Sequence, residues 1–154
     1  MRITSSSVKD TLKIGKAIGK NLKKGDIVCL FGNLGSGKTV LTKGIALGLG
    51  IRGREIISPT FVLIRQHTKS KLPMYHFDLY RLTSPKEIVN LGYEEYFFGN
   101  GVTIIEWADR LKYLLPEEYL KIKLSVVASN KRMLEFKASG RRHKELLKLL
   151  KEKL

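Results

Sequence analysis

Acid is scarce in this chain. Its 154 residues hold 14 Asp and Glu against 29 Lys and Arg, a formal net charge of +15 at pH 7, and the imbalance gathers at the ends. Residues 1–25 carry seven basic residues and one Asp, and residues 137–154 carry seven and two. Such ends suit a polyanionic partner such as RNA, or an acidic protein surface; they equally suit the solvated surface of a protein from a lysine-rich proteome. Cysteine is scarcer still. Cys29 stands alone in an apolar run, so no intrachain disulfide can form and an oxidising compartment is not indicated. No apolar run approaches the roughly 18 residues of a membrane span, and "MRITSSSVKD" lacks the apolar core of a secretory signal. The expectation is a soluble, cytoplasmic protein with no membrane partner. No second His or Cys stands at metal spacing from His76, which reads as a packed or hydrogen-bonded strand residue rather than a ligand.

What is present suffices for one domain. A chain of this length, 43% hydrophobic, buries a sizeable core without disulfide or metal staples. Ser7 and Asp10 form a cap signal, and the apolar spacing after them predicts a helix over 8–23, ended by Gly25. "DIVCLF" has the continuous apolar character of a strand buried on both faces of a parallel sheet. It leads into a glycine-rich loop, and "KTVLTKGIALGLG" then predicts a second helix. Further strands are expected in "IISPTFVLIRQH", "MYHFDLYRL" and "GVTIIEW". A helix from Ser84 to about Phe98, opened by "SPKE", lies between the last two. "YLKIKLSVV" and "RMLEFKAS" alternate around "ASNK" as an antiparallel hairpin. The last 15 residues predict a basic amphipathic helix over about 140–154, with Leu146, Leu147, Leu149 and Leu150 on its apolar side. The predicted fold is α/β: a single domain, 1–154, of the three-layer P-loop NTPase-like kind, with a mainly parallel central sheet and a C-terminal antiparallel hairpin.

"GNLGSGKT", residues 32–39, fits G-x-x-x-x-G-K-[ST]. Gly32, Gly35, Ser36 and Gly37 let successive backbone N–H groups converge on phosphate oxygens, and the helix that begins near Val40 aims its positive end at the same charge. Lys38 is expected to reach the β- and γ-phosphates of ATP, and Thr39 to place its hydroxyl on Mg²⁺. Such a loop needs a carboxylate at the end of a neighbouring strand. Glu106 ends "VTIIE" in the manner of a Walker B strand, and Asp78 ends "MYHFD". The alternatives are a surface Glu106 that caps the next helix and an Asp78 satisfied by Arg81. Between loop and acids, "SPTF" places Ser58, Pro59 and Thr60 where a nucleotide-sensing segment is often found, with a strand kink as the alternative. Trp107 packs either against a base or partner, or into the core.

Taken together, "GNLGSGKT", "SPTF", "HFDLYRL", "LGYEEYF" and "IIEW", in this order in so short a chain, resemble the TsaE family, also called YjeE. The resemblance runs from about Ser7 to the hairpin near residue 136, and "HFDLYRL" followed by "EW" is its most specific part. It implies a bacterial ATPase of tRNA threonylcarbamoyladenosine (t6A) synthesis that works with the TsaB–TsaD pair and supports its repeated turnover. It also implies roles: Lys38 and Thr39 hold phosphate and Mg²⁺, Glu106 is an Mg²⁺ ligand, Asp78 is a further catalytic acid, and Ser58 to Thr60 form the switch. Asn33 departs from the family, which often has Asp there. Two other classes compete: a phosphoryl-transfer enzyme acting on a small metabolite, and a basic RNA-binding module with a structural nucleotide. The first lacks an obvious substrate lid, and the second has no need of two strand-end acids.

Overall fold

The computed structural model describes residues 1–52, 55–56, 63–70 and 72–154. Seven strands form one sheet: β1 (Arg2–Ser5), β2 (Ile27–Phe31), β3 (Ile64–His67), β4 (Met74–Asp78), β5 (Val102–Glu106), β6 (Leu120–Ala128) and β7 (Lys131–Ala138). Their order is β1-β7-β6-β2-β5-β4-β3. The four inner strands from β6 to β4 run parallel, and antiparallel pairs close both edges. The expected hairpin is therefore no appendage, because β6 pairs in parallel with β2 inside the sheet. The short edge strand β1 was not expected. Of "IISPTFVLIRQH", Ile64–His67 form a strand, while Ser58, Pro59 and Thr60 lie outside the described residues.

Helices cover both faces. On one lie α1 (Val8–Asn21), α2 (Lys38–Gly48) and α5 (Arg141–Lys153), over a core that includes Ile18, Leu30, Leu41, Ile45, Ile104 and Leu146. On the other lie α3 (Pro85–Asn90), α4 (Glu94–Phe97) and a 3₁₀ segment, Ala108–Leu114, over Cys29, Phe77, Ile88, Phe97 and Ile105. α1 opens as its cap signal predicts: the Ser7 hydroxyl accepts from the Asp10 N–H at 3.1 Å. Its buried stripe is Thr11, Ile14, Gly15, Ile18 and Gly19, while Val8 is 65% exposed. The single helix expected over 84–98 is two short ones. Leu91 caps the first, and Gly92, at φ +67°, turns the chain out of helical geometry. α5 buries His143, Leu146 and Leu150, whereas Leu149 faces solvent. It is pinned to the sheet by Arg142, whose guanidinium donates to both oxygens of buried Asp26 at 2.9 and 2.6 Å, and by His143 Nε2, which accepts the Ile27 N–H at 3.2 Å. Burial without a compensating anion strong enough to reverse it lowers the His143 pKa, although Asp26 opposes the shift.

α1 and α2 meet backbone to backbone through Gly15, Gly19, Gly44 and Gly48. A Cβ on Gly15 would lie 2.6 Å from the Leu41 carbonyl oxygen and 2.8 Å from the Gly44 Cα; one on Gly44 would lie 2.6 Å from the Leu12 carbonyl oxygen. This close approach sets where α1 stands relative to the glycine loop that feeds α2. Overpacking such a contact costs about 1–3 kcal/mol, and about 1 kcal/mol moves Tm by about 2–4 °C in a domain of this size. Gly15→Ala is expected to lower Tm by about 3 °C or more in a calorimetric scan. Lys16→Ala, on the solvent side of the same helix, should leave it within about 1 °C. Equal shifts would mean that the glycine contact does not govern the packing of the two helices.

Candidate active site

The glycine loop joins β2 to α2 at the C-terminal end of the parallel strands. Gly32 stands at φ +144°, and a Cβ there would overlap the Leu124 carbonyl oxygen and lie 2.7 Å from Ser36 Oγ, so only glycine lets the loop fold this tightly. Gly37, at φ +103°, is the N-cap of α2; it offers no side-chain cap, and the first turn holds no acid. The first-turn N–H groups are thus left for an anion from outside the helix. Gly35, Gly37, Lys38, Thr39 and Val40 face a cleft of about 340 Å³. Ser36 is buried beneath the loop.

Lys38 is 4% exposed. Its ammonium donates to the carbonyls of Gly32 at 2.6 Å and Asn33 at 2.9 Å, and lies 3.8 Å from the centroid of the Trp107 ring. Burial lowers its pKa, with Glu106, Asp109 and Asp78 opposing the shift through their charge. Trp107 holds a left-handed backbone, φ +58° and ψ +43°, that is rare for a bulky residue and costs about 1–3 kcal/mol. That turn directs the ring under Lys38, and the Tyr80 ring packs beside it with centroids 5.0 Å apart.

Glu106, the last residue of β5, is 1% exposed. Its Oε2 accepts from the Thr39 hydroxyl at 2.8 Å. Oε1 lies 2.9 Å from the Thr42 hydroxyl, one turn further along α2, and 2.9 Å from His76 Nε2 on β4. Burial works to raise the pKa of this carboxyl. The hydrogen bond and charge interaction of His76, with the two threonine donors, outweigh that effect and hold it below its ordinary value. Asp78 stands directly beside Glu106 in the β4–β5 register. It is 6% exposed, lines the cleft, and accepts the Tyr80 N–H on Oδ1 at 3.1 Å.

The structure thus brings Lys38, Thr39, Val40, Asp78 and Glu106 to one cleft. His76 is a hydrogen-bonded strand residue, as expected, but it is bonded to the central carboxylate. Trp107 lines the cleft and also packs, half-buried, against the core on that face of the sheet. Sequence reasoning missed the remaining walls: Ser7, Val8 and Thr11 from the start of α1, and Asn130 and Arg132 from the β6–β7 turn. No local spacing links these positions to the loop, and the sheet order alone brings them there.

Comparison with known proteins adds the lineage. The family profile described as "Threonylcarbamoyl adenosine biosynthesis protein TsaE" matches residues 5–134. The chain belongs to the TsaE family. A Treponema pallidum relative, named tRNA threonylcarbamoyladenosine biosynthesis protein TsaE, is 43% identical over 132 residues, which cover 86% of this chain and 96% of that one. A Bacillus subtilis relative of the same name is 42% identical over 137 residues, covering 89% and 85%. The crystal structure of Bacillus subtilis YdiB is similar with a TM-score of 0.85 and 35% identity, over 99% of this chain and 95% of that one. The family profile stops before α5, whereas the structural likeness extends over nearly the whole chain.

Because the folded-state pKa of Glu106 is depressed, its carboxylate contributes stability that is complete above its ordinary value of 4.5 and is lost as pH falls below it toward the folded value. Glu106→Gln should unfold at a lower temperature than wild type at pH 7, and its Tm should fall less steeply below pH 4.5. Parallel Tm-versus-pH curves for the two proteins would remove this network from the acid response.

Proposed function

We propose that this chain is a Mg²⁺-dependent ATPase of the P-loop NTPase kind, weak alone, that supports turnover of a TsaB–TsaD complex in forming t6A at position 37 of tRNA. The single observation that supports it best is the meeting of Thr39 and Glu106. A hydroxyl on the first turn of α2 and a carboxylate at the end of β5 stand 2.8 Å apart beside Lys38 and the glycine loop. These are hard oxygen donors, few in number, which suits an ion that keeps most of its waters. Thr39 and Glu106 would hold Mg²⁺, which when bound neutralises charge on the β- and γ-phosphates.

The chain's own residues do the rest. The uncapped first turn of α2 and the loop amides bind phosphate, and Lys38 moves from its carbonyl partners to the β- and γ-oxygens. Thr42 and His76 keep Glu106 ionised and fixed in rotamer. Asp78, beside it, orients the attacking water and accepts its proton as the water oxygen bonds the γ-phosphorus and the β–γ bridging P–O bond breaks, releasing ADP and phosphate. Ser7, Val8 and Thr11 on one side and Asn130 and Arg132 on the other receive the nucleoside end. The family name carried by the relatives supplies the tRNA context, and TsaB–TsaD is the partner proposed for it.

A multiple-turnover assay with TsaB, TsaD, the adenylate-forming enzyme, ATP and unmodified tRNA tests this. Wild type is expected to carry t6A formation well past one product per TsaD, and Lys38→Ala and Glu106→Ala to stall near one. Trp107, the sole tryptophan, reports binding: its fluorescence should change with ATP in wild type and in Asp78→Asn, while Asp78→Asn hydrolyses slowly. Equal turnover with wild type, with Lys38→Ala and without any addition would refute the assignment and turn attention to a phosphoryl acceptor.

A further inference from the structure

The positive charge of α1 is ordered. Lys9, Lys13, Lys16 and Lys20 follow each other at steps of four, three and four, so they form one ridge on the helix, and all four are exposed. The ridge spans eleven residue steps, about 16 Å at the helical rise, and Lys23 and Lys24 prolong it beyond the helix end. Among the described residues none of the four lysines makes an ion pair. The one acid of α1, Asp10, accepts the Ser6 N–H at the helix start, and α2, packed against α1, contains no Asp or Glu.

An ordinary solvated helix face interleaves both signs, because like charges four apart repel and acids three or four apart relieve them. Here Asp10, three before Lys13 and bonded to the Ser6 N–H, is the one acid so placed; Lys9, Lys16 and Lys20 have none three or four positions away, and Lys9 stands in the first turn, where the dipole disfavours a cation. The basic face of α5 differs: Glu145 lies within it and pairs with Arg141 at 3.2 Å. Among the described residues the α1 ridge is therefore a cationic track without an ion pair of its own.

We infer that the α1 ridge is a docking track for the phosphate backbone of a structured RNA. Lysine is depleted at protein–protein interfaces, while flexible ammonium groups at a repeat of about 5–6 Å suit a phosphate chain read without base contacts. The ridge also starts where the active-site cleft ends, since Ser7, Val8 and Thr11 line that cleft and Lys9 begins the ridge between them. The inference narrows the expectation of two RNA-binding ends to one, and it does not depend on the ATPase reading.

The test uses the full chain and an unmodified tRNA transcript, with binding followed between about 50 and 200 mM salt. One variant replaces Lys9, Lys13, Lys16 and Lys20 with Gln; a control of equal charge replaces Lys112, Lys144, Lys148 and Lys151, all exposed. The ridge variant is expected to bind at least tenfold more weakly at low salt, and the slope of log K against log salt should fall by about three. The control should keep most of the wild-type slope. Equal losses in both variants would overturn the inference in favour of diffuse charge attraction. Wild type that binds a polyglutamate chain as well as tRNA would overturn it in favour of an acidic protein surface, and no tRNA binding at low salt would overturn it outright. ATP binding, read by Trp107 fluorescence, should be unchanged in the ridge variant, which separates failure of the ridge from failure of the nucleotide site. Helix content by circular dichroism is expected to match wild type, which checks that the ridge variant remains folded.

Discussion

A carboxylate that keeps only 1% of its surface in water carries a desolvation penalty of several kcal/mol unless donors surround it. Glu106 meets that condition by drawing on two elements at once: hydroxyls from successive turns of α2, and an imidazole from the neighbouring strand. The same contacts that keep it ionised fasten the sheet to the helix following the glycine loop. Position and chemistry are thus set together. The loop that would hold phosphate is anchored by the acid that would hold the ion, and neither can shift without breaking hydrogen bonds to a charged group, each worth about 1.5–3 kcal/mol.

The surroundings of Lys38 follow the same economy. Burial and the Trp107 ring strip water from its ammonium, and the carbonyls of Gly32 and Asn33 take its hydrogen bonds. Its charge is therefore retained beside a loop that contains no acid, within reach of a phosphate whose oxygens would be stronger acceptors than the two carbonyls. The strained backbone of Trp107 belongs to this arrangement, because a relaxed turn there would swing the ring away from the lysine.

Much of this was legible in the sequence, and the boundary is physical. The glycine loop, the strand before it and the helix after it are local patterns, and each appears where local rules put it. The pairing of Asp78 with Glu106 was legible only as two acids at the ends of apolar runs; their adjacency is a property of sheet order. His76 could have been drawn into the site by parity, since it lies two residues before Asp78 and so shares its face of the strand. The break at Gly92 is marked in the sequence only by a glycine within a helical pattern, and the cap at Ser84 signals where a helix starts, not how far it runs. Three features had no local sign at all: the pairing of β6 with β2, the edge strand β1, and the cleft walls at Val8 and Arg132. All three rest on contacts across most of the chain.

The contact between α1 and α2 has a mechanical side. Where helices meet through long side chains, rotamer changes absorb small displacements; four glycines with carbonyls against Cα atoms have no such slack, since packed interiors transmit strain. The two helices form a single stiff lever whose short arm is the first turn of α2, at Thr39, and whose far arm is the solvent face of α1. With so little slack between them, a displacement of that turn is passed toward the lysine side of the molecule by backbone contact rather than taken up by rotamers.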